Sequence, residues 1–169
     1  DAISIIMIGL FLLILGGTFT LMDETGGIRV MIKHLIERFK DHKYTLLRLV
    51  ILVFMIFGAF FGIFEESIAL MPVLILLSLS LGWDTLTGMA MSLLAAGFGF
   101  ATAITNPFSI GIASNLAGTE ILSGALYRLL IFSIMYVILQ WIVTRHAKKI
   151  EDHPELSPTY DIDQGKVKH

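Results

Sequence analysis

Two short stretches carry polar groups inside otherwise apolar surroundings. The first, GAFFGIFEESIALMP at residues 58–72, holds Glu65, Glu66 and Ser67. Adjacent carboxylates at membrane depth cost at least about 2.5 kcal/mol each on insertion scales, so such residues line a cavity, hold a cation or carry protons. The plain alternative is an ordinary loop at the far membrane surface. The second, GFGFATAITNPFSIGIASN at 97–115, holds Thr105, Asn106, Pro107 and Ser109. Pro107 has no amide hydrogen, so the helical bond to the Ala103 carbonyl is lost. Asn106 is a good N-cap and Pro107 a favoured first helical residue, so one helix should end here and another begin. The new N-terminus offers free amides to a substrate carboxylate. The ending helix offers free carbonyls, and Thr105, Asn106 and Ser109 add side-chain oxygens, a set suited to Na+. The alternative is a proline kink repaired by Thr102 or Thr105; two such interruptions in one chain favour transport. The polar groups of these two stretches are therefore the places where chemistry could be carried.

Other chemistry is poorly supplied. Cysteine is absent, which excludes disulfides, thiolate metal sites and cysteine nucleophiles. His34, His42, His146, His153 and His169 are scattered without metal-ligand spacing. There is no P-loop and no GxSxG. A membrane enzyme using Glu65 or Glu66 as acid–base would need a polar catalytic partner at the same depth, such as an intramembrane His, and none is offered. A purely structural membrane subunit predicts uninterrupted spans, against which both polar stretches speak. The expectation is a protein that is not an enzyme, has no catalytic residues and has no cofactor beyond Na+ or H+ coupling.

The elements that must position these residues follow from composition. Of 169 residues, 56% are hydrophobic and 15% charged, with a mean hydropathy of +0.82. An ordinary soluble domain is about 25% charged. The charges are also segregated, as in membrane spans. A net charge of -2 argues against a nucleic-acid partner. The chain is apolar from Ala2 onward with no basic region before it, so it reads as the inside of a longer protein rather than as a signal peptide. Residues 1–22 predict a transmembrane helix. Residues 23–45 predict an interfacial amphipathic helix, with Ile28, Met31, Ile32, Leu35, Ile36 and Phe39 on one face. Residues 46–82, 83–121 and 122–144 are further apolar runs, the second rich in small residues that let helices approach closely. Arg48 can snorkel, Arg128 reads as a packing or headgroup contact, and Trp141 reads as an interface anchor. Residues 145–169 read as a polar linker or tail with no core of its own.

Lys and Arg concentrate in 23–45 and 145–169, while the turns at 82–84 and 118–121 have none. The positive-inside rule puts both basic segments in the cytoplasm, so an even number of crossings lies between them. Two topologies satisfy that parity. In one, 46–82 is a re-entrant hairpin with its tip at Glu65, Glu66 and Ser67, 83–121 is one broken span, and 122–144 returns. In the other, every run crosses. The first is preferred, because 68–81 would span only about 21 Å as a helix and 108–117 would become an apolar loop. The fold class is thus all-α, a polytopic membrane bundle with a re-entrant hairpin and a broken transmembrane helix.

FEESIALMP at 64–72 and GFGFATAITNPFSIGIA at 97–113 resemble the YfcC-like branch of the C4-dicarboxylate anaerobic carrier (DcuC) family, and DETGGI at 23–28 and the basic exit at 145–149 also fit. The resemblance covers nearly the whole chain. It implies a secondary transporter of the ion-transporter superfamily built from two inverted repeats, with this stretch as most of the first. It also implies that the hairpin tip (Glu65, Glu66, Ser67) and the break (Thr105, Asn106, Pro107) form the substrate and cation site. The implied solute bears a carboxylate, either an amino acid, as in arginine–ornithine exchange, or a C4-dicarboxylate, and the acidic pair leans toward a cationic amino acid. The implied partners are that solute, the bilayer of the inner membrane and the second repeat, with a homodimer as one assembly to test.

Overall fold

The computed structural model describes residues 42–167, together with 6, 10, 13, 14, 17, 18, 21, 25, 30, 33, 34 and 37–39. The chain divides into two units, Asp1–Lys40 and Asp41–His169. In the first, the described residues other than Thr25 are helical, and the Thr18 hydroxyl donates to the Ile14 carbonyl one turn back (2.8 Å). The expected crossing at 1–22 and interfacial helix at 23–45 otherwise fall outside the described residues.

The second unit is helical throughout its ordered elements. Helix α1 (Lys43–Ile56) runs on through a π-helical turn (Phe57–Phe61) and stops at Gly62, which is left-handed (φ 73°). Helix α2 (Glu65–Ser80) follows, with Glu65 and Glu66 in its first turn, where the helix dipole favours negative charge. A turn at Gly82 then leads into α3 (Thr85–Met89), a second π-helical turn (Ala90–Leu94) and α4 (Ala95–Thr102). After a break at 103–106 come a third π-helical turn (Pro107–Gly111) and α5 (Ile112–Ala117). Helix α6 (Ala125–Asp152) is the longest, and α7 (Tyr160–Val167) closes the tail. Among the described residues, three stretches are long and apolar enough to cross a membrane: Lys43–Phe61, Thr85–Ala117 and Ala125–Asp152.

The 85–102 stretch is the axis of the unit. Helix α2 packs along α3 and the Ala90–Leu94 turn, while α1 packs along that turn and α4, and α6 lies against α1 and α4. Small residues set these distances. A Cβ on Gly88 would sit 2.6 Å from the Ile75 Cα, and one on Gly99 would sit 2.7 Å from the Met55 Cα. Both obstacles are backbone, so neither helix pair could accommodate a larger residue without separating.

Helices α1 and α2 leave from and return to one end of the unit. There the Tyr44 and Trp83 rings are 5.8 Å apart. Lys43 pairs with Glu151 (2.5 Å), which also accepts from the Tyr44 hydroxyl (2.5 Å). Helix α6 continues eight residues past Thr144, because nothing in RHAKKIED breaks a helix before His153 and its lysines suit the C-terminal dipole. The tail also folds back, unlike the coreless linker the sequence suggests. Buried Asp84 accepts from the Thr87 amide (2.9 Å) and hydroxyl (2.6 Å), from His146 (2.9 Å) and from Ser157 (2.8 Å). Asp163 accepts from the Thr85 amide (3.0 Å) and hydroxyl (2.5 Å) and from Thr159 (2.7 Å). Polar tail residues bury because two carboxylates at the 82–84 turn and on α7 give them partners.

Burial pushes the Asp84 carboxyl up, but hydrogen bonds from Thr87, His146 and Ser157 outweigh it and hold it below its ordinary 3.8. A depressed carboxylate stabilises the fold above its unfolded value, and that contribution is lost as pH falls through the folded one. The melting temperature of the full-length protein should therefore drop on acidification below the ordinary 3.8. In Asp84→Asn it should be lower at neutral pH and flatter across that acid window, as read by thermal unfolding in detergent.

Candidate functional site

The break in the 85–117 stretch begins at Ala103, the one non-glycine among the described residues with positive φ (45°). A left-handed alanine costs about 1–2 kcal/mol and persists only where its surroundings over-determine it. Two features do so. Upstream, the Ala103 amide (3.2 Å) and the Thr102 hydroxyl (2.7 Å) both donate to the Gly99 carbonyl, closing α4. Downstream, Pro107 drives Asn106 out of the helical region (ψ 115°). The expected cap is present: Asn106 Oδ1 accepts from the Phe108 amide (2.8 Å), with Pro107 at the start of the new turn.

The break docks on the entry to the hairpin tip. The Thr105 and Asn106 amides both donate to the Ala59 carbonyl (3.1 Å each). The Thr105 hydroxyl donates to Phe60 O (3.0 Å) and Asn106 Nδ2 to Gly58 O (3.2 Å). Carbonyls at a helix end need donors from outside the helix, and an apolar medium supplies none. The break adds donors at the end of the first hairpin arm, where the Gly58 carbonyl also accepts from the Gly62 amide (3.2 Å). In return it gives up its own ladder. In a continuous helix the Thr105 and Asn106 amides would serve the carbonyls of Ala101 and Thr102, and Pro107 has none for Ala103. Gly62 fits this contact closely: a Cβ there would lie 2.5 Å from Asn106 Oδ1 and 2.6 Å from the Phe108 ring. On the far side of the tip, the Phe64 and Phe100 rings lie 6.1 Å apart.

The candidate residues fall into three groups. Asn106 is fully buried with both side-chain polar atoms engaged, and the Thr105 hydroxyl is spent as a donor but keeps its lone pairs. Ser67 is buried in the first turn of α2, and its hydroxyl and that of Ser109 have no hydrogen-bond partner among the described residues. Glu65 is exposed, Glu66 half-buried and Pro107 exposed; neither glutamate makes an ion pair among the described residues. The structure thus brings Thr105, Asn106 and Pro107 against residues 58–62. The glutamates and Ser67 lie further along the chain, and the carbonyls of Gly58, Ala59 and Phe60 accept the hydrogen bonds from the break instead. Those residues escaped sequence reasoning because backbone acceptors have no residue-type signature. The available signal was the Gly58/Gly62 spacing, which marks one small-residue face. Arg128 holds the loop before α6, donating to the Ser123 carbonyl (3.1 Å) and to that of Ile121.

The hydrogen bonds from Thr105 and Asn106 to residues 58–60 join the break and the end of α1 into one polar junction.

The sequence model of the family described as "C4-dicarboxylate anaerobic carrier" matches residues 2–169. The chain is 30% identical over 163 residues to the "Putative basic amino acid antiporter YfcC" of Escherichia coli (strain K12), covering 96% of this chain and 32% of that protein. It is 33% identical over 155 residues to an uncharacterized protein of Haemophilus influenzae, covering 89% of this chain and 30% of that one. The chain therefore spans about a third of the length of these curated relatives. No solved structure matches it. With a match over nearly every residue, and with an all-helical unit that has three stretches able to cross a membrane, this chain belongs to the C4-dicarboxylate anaerobic carrier family.

Proposed function

We propose that the chain is most of one repeat of a secondary active transporter for a small carboxylate-bearing solute, coupled to Na+, H+ or a counter-solute. The observation that carries this reading is the junction itself: a helix break that hands its amides to a neighbouring hairpin tip, in a unit where the buried Ser67 and Ser109 hydroxyls have no partner among the described residues. In this reading α1 and α2 form a re-entrant hairpin opening to the cytoplasm of an inner-membrane protein, and a second inverted repeat completes the site. The relative named as a basic amino acid antiporter favours an amino acid such as arginine or ornithine over a C4-dicarboxylate, and so do Glu65 and Glu66. The cation is held by Thr105, Ser109 and freed carbonyls, with Asn106 shaping the site.

Counterflow of labelled arginine, ornithine and succinate in proteoliposomes of the full-length protein tests this. The expected result is exchange of one class. If that class is the basic amino acids, Glu65→Gln and Glu66→Gln should each lower it roughly tenfold, the worth of one charge-assisted hydrogen bond, with insertion intact. Unchanged exchange in both variants would assign the glutamates to a passive loop.

A further inference from the structure

At the end of the unit where α1 begins, a groove of about 310 Å3 opens between α1 and α6, lined by Arg48, Gln140, Trp141, Thr144, Arg145 and Lys148. Three of the six are cations, and none has a carboxylate partner among the described residues. Glu151, one turn beyond Lys148, is already taken up by Lys43 and Tyr44. Aromatic faces hold two of the cations in place, with Arg145 5.5 Å from the Trp141 ring and Lys148 5.1 Å from the Tyr44 ring. Thr144 is 7% exposed, and its hydroxyl has no hydrogen-bond partner among the described residues. A buried hydroxyl left unpaired is costly, so this one needs an acceptor or donor from elsewhere. The groove also sits where α6 changes character. Ile134, Val137, Ile138 and Trp141 are exposed on one helical face, and the basic residues start at Arg145. That is the depth of the headgroup layer for a helix that crosses a bilayer.

We propose that this groove binds the phosphate of an anionic phospholipid. Arg48, Arg145 and Lys148 neutralise it, the Thr144 hydroxyl donates to one of its oxygens, and the acyl chains lie along the apolar face below Trp141. Basic pockets between spans are suited to such headgroups. The inference rests on the membrane placement of α1 and α6 and is independent of the solute carried. It can be tested with delipidated full-length protein in micelles doped with dioleoyl phosphatidylglycerol or dioleoyl phosphatidylcholine, counting lipid retained per protein. Wild type should retain phosphatidylglycerol over phosphatidylcholine. Retention should fall about fivefold per cation removed across Arg48→Gln, Arg145→Gln and Lys148→Gln. Thr144→Val, which keeps charge and volume, should also lower it, while Lys149→Gln, on the same helix outside the groove, should change it less than about twofold. Wild-type retention in the triple variant, or an equal fall in Lys149→Gln, would overturn the site. Displacement of the lipid by excess inorganic phosphate would reassign the groove to a soluble anion.

Discussion

Asn106→Ala is expected to reduce solute exchange by the full-length protein to near background. Two interactions disappear together. The cap on the Phe108 amide is worth about 1 kcal/mol, and the bond from Nδ2 to the Gly58 carbonyl about as much again in a buried setting. A loss of about 2 kcal/mol depopulates the docked break by roughly thirtyfold. The effect should fall on transport more than on folding, because the flanking helices keep their own packing. Asn106→Ser separates the two parts: serine still caps but cannot reach Gly58, so it should retain intermediate exchange. Thr87→Ala is not a neutral comparison, since the Thr87 hydroxyl is buried and donates to Asp84. Near-normal exchange in Asn106→Ala would reduce the motif to a kink.

Gly62→Val should be comparably severe and should act from the other side of the same contact. Gly62 is left-handed, where a β-branched residue is strained by about 1–2 kcal/mol or more. Its Cβ would also meet the Asn106 amide and the Phe108 ring, two groups fixed by the cap. Relief requires either the tip or the break to move, and each motion undoes the bonds to the carbonyls of residues 58–60. Loss of exchange with correct membrane insertion is the expected outcome. Full activity would mean that the tip and the break do not need to touch.

The sequence made much of this architecture legible because its strongest signals are local. An uncharged run, a proline without an amide hydrogen and an asparagine before it each act within one helical turn, so the break at Pro107 could be read directly. The glycine-rich 85–102 stretch likewise announced close packing, which Gly88 and Gly99 make against Ile75 and Met55. The partner of the break was harder to read. The glutamates draw the eye to Glu65 and Glu66, yet the hydrogen bonds run to backbone carbonyls at Gly58, Ala59 and Phe60, whose availability depends on α1 ending in a π-helical turn. Nothing in residue type distinguishes those acceptors. The docking of the tail is illegible in the sequence for a related reason. Ser157 and Asp163 look like solvated linker residues until Asp84 and Thr85 are known to lie beneath them. Long-range polar pairing of this kind has no period and no spacing.

The claim that the solute occupies the junction of the hairpin tip and the broken helix can be measured directly by substrate protection. Ser67→Cys and Ser109→Cys, each placed in an otherwise cysteine-free full-length protein in proteoliposomes, would be modified with a small membrane-permeant thiol reagent, with and without the solute that the protein exchanges. Both hydroxyls are buried and unpartnered among the described residues, and in the proposed site a bound solute should slow modification of both cysteines. It should leave Leu122→Cys, in the exposed loop before α6, unaffected. Modification rates at Ser67→Cys and Ser109→Cys that stay the same in the presence of a solute the protein demonstrably exchanges would contradict the account.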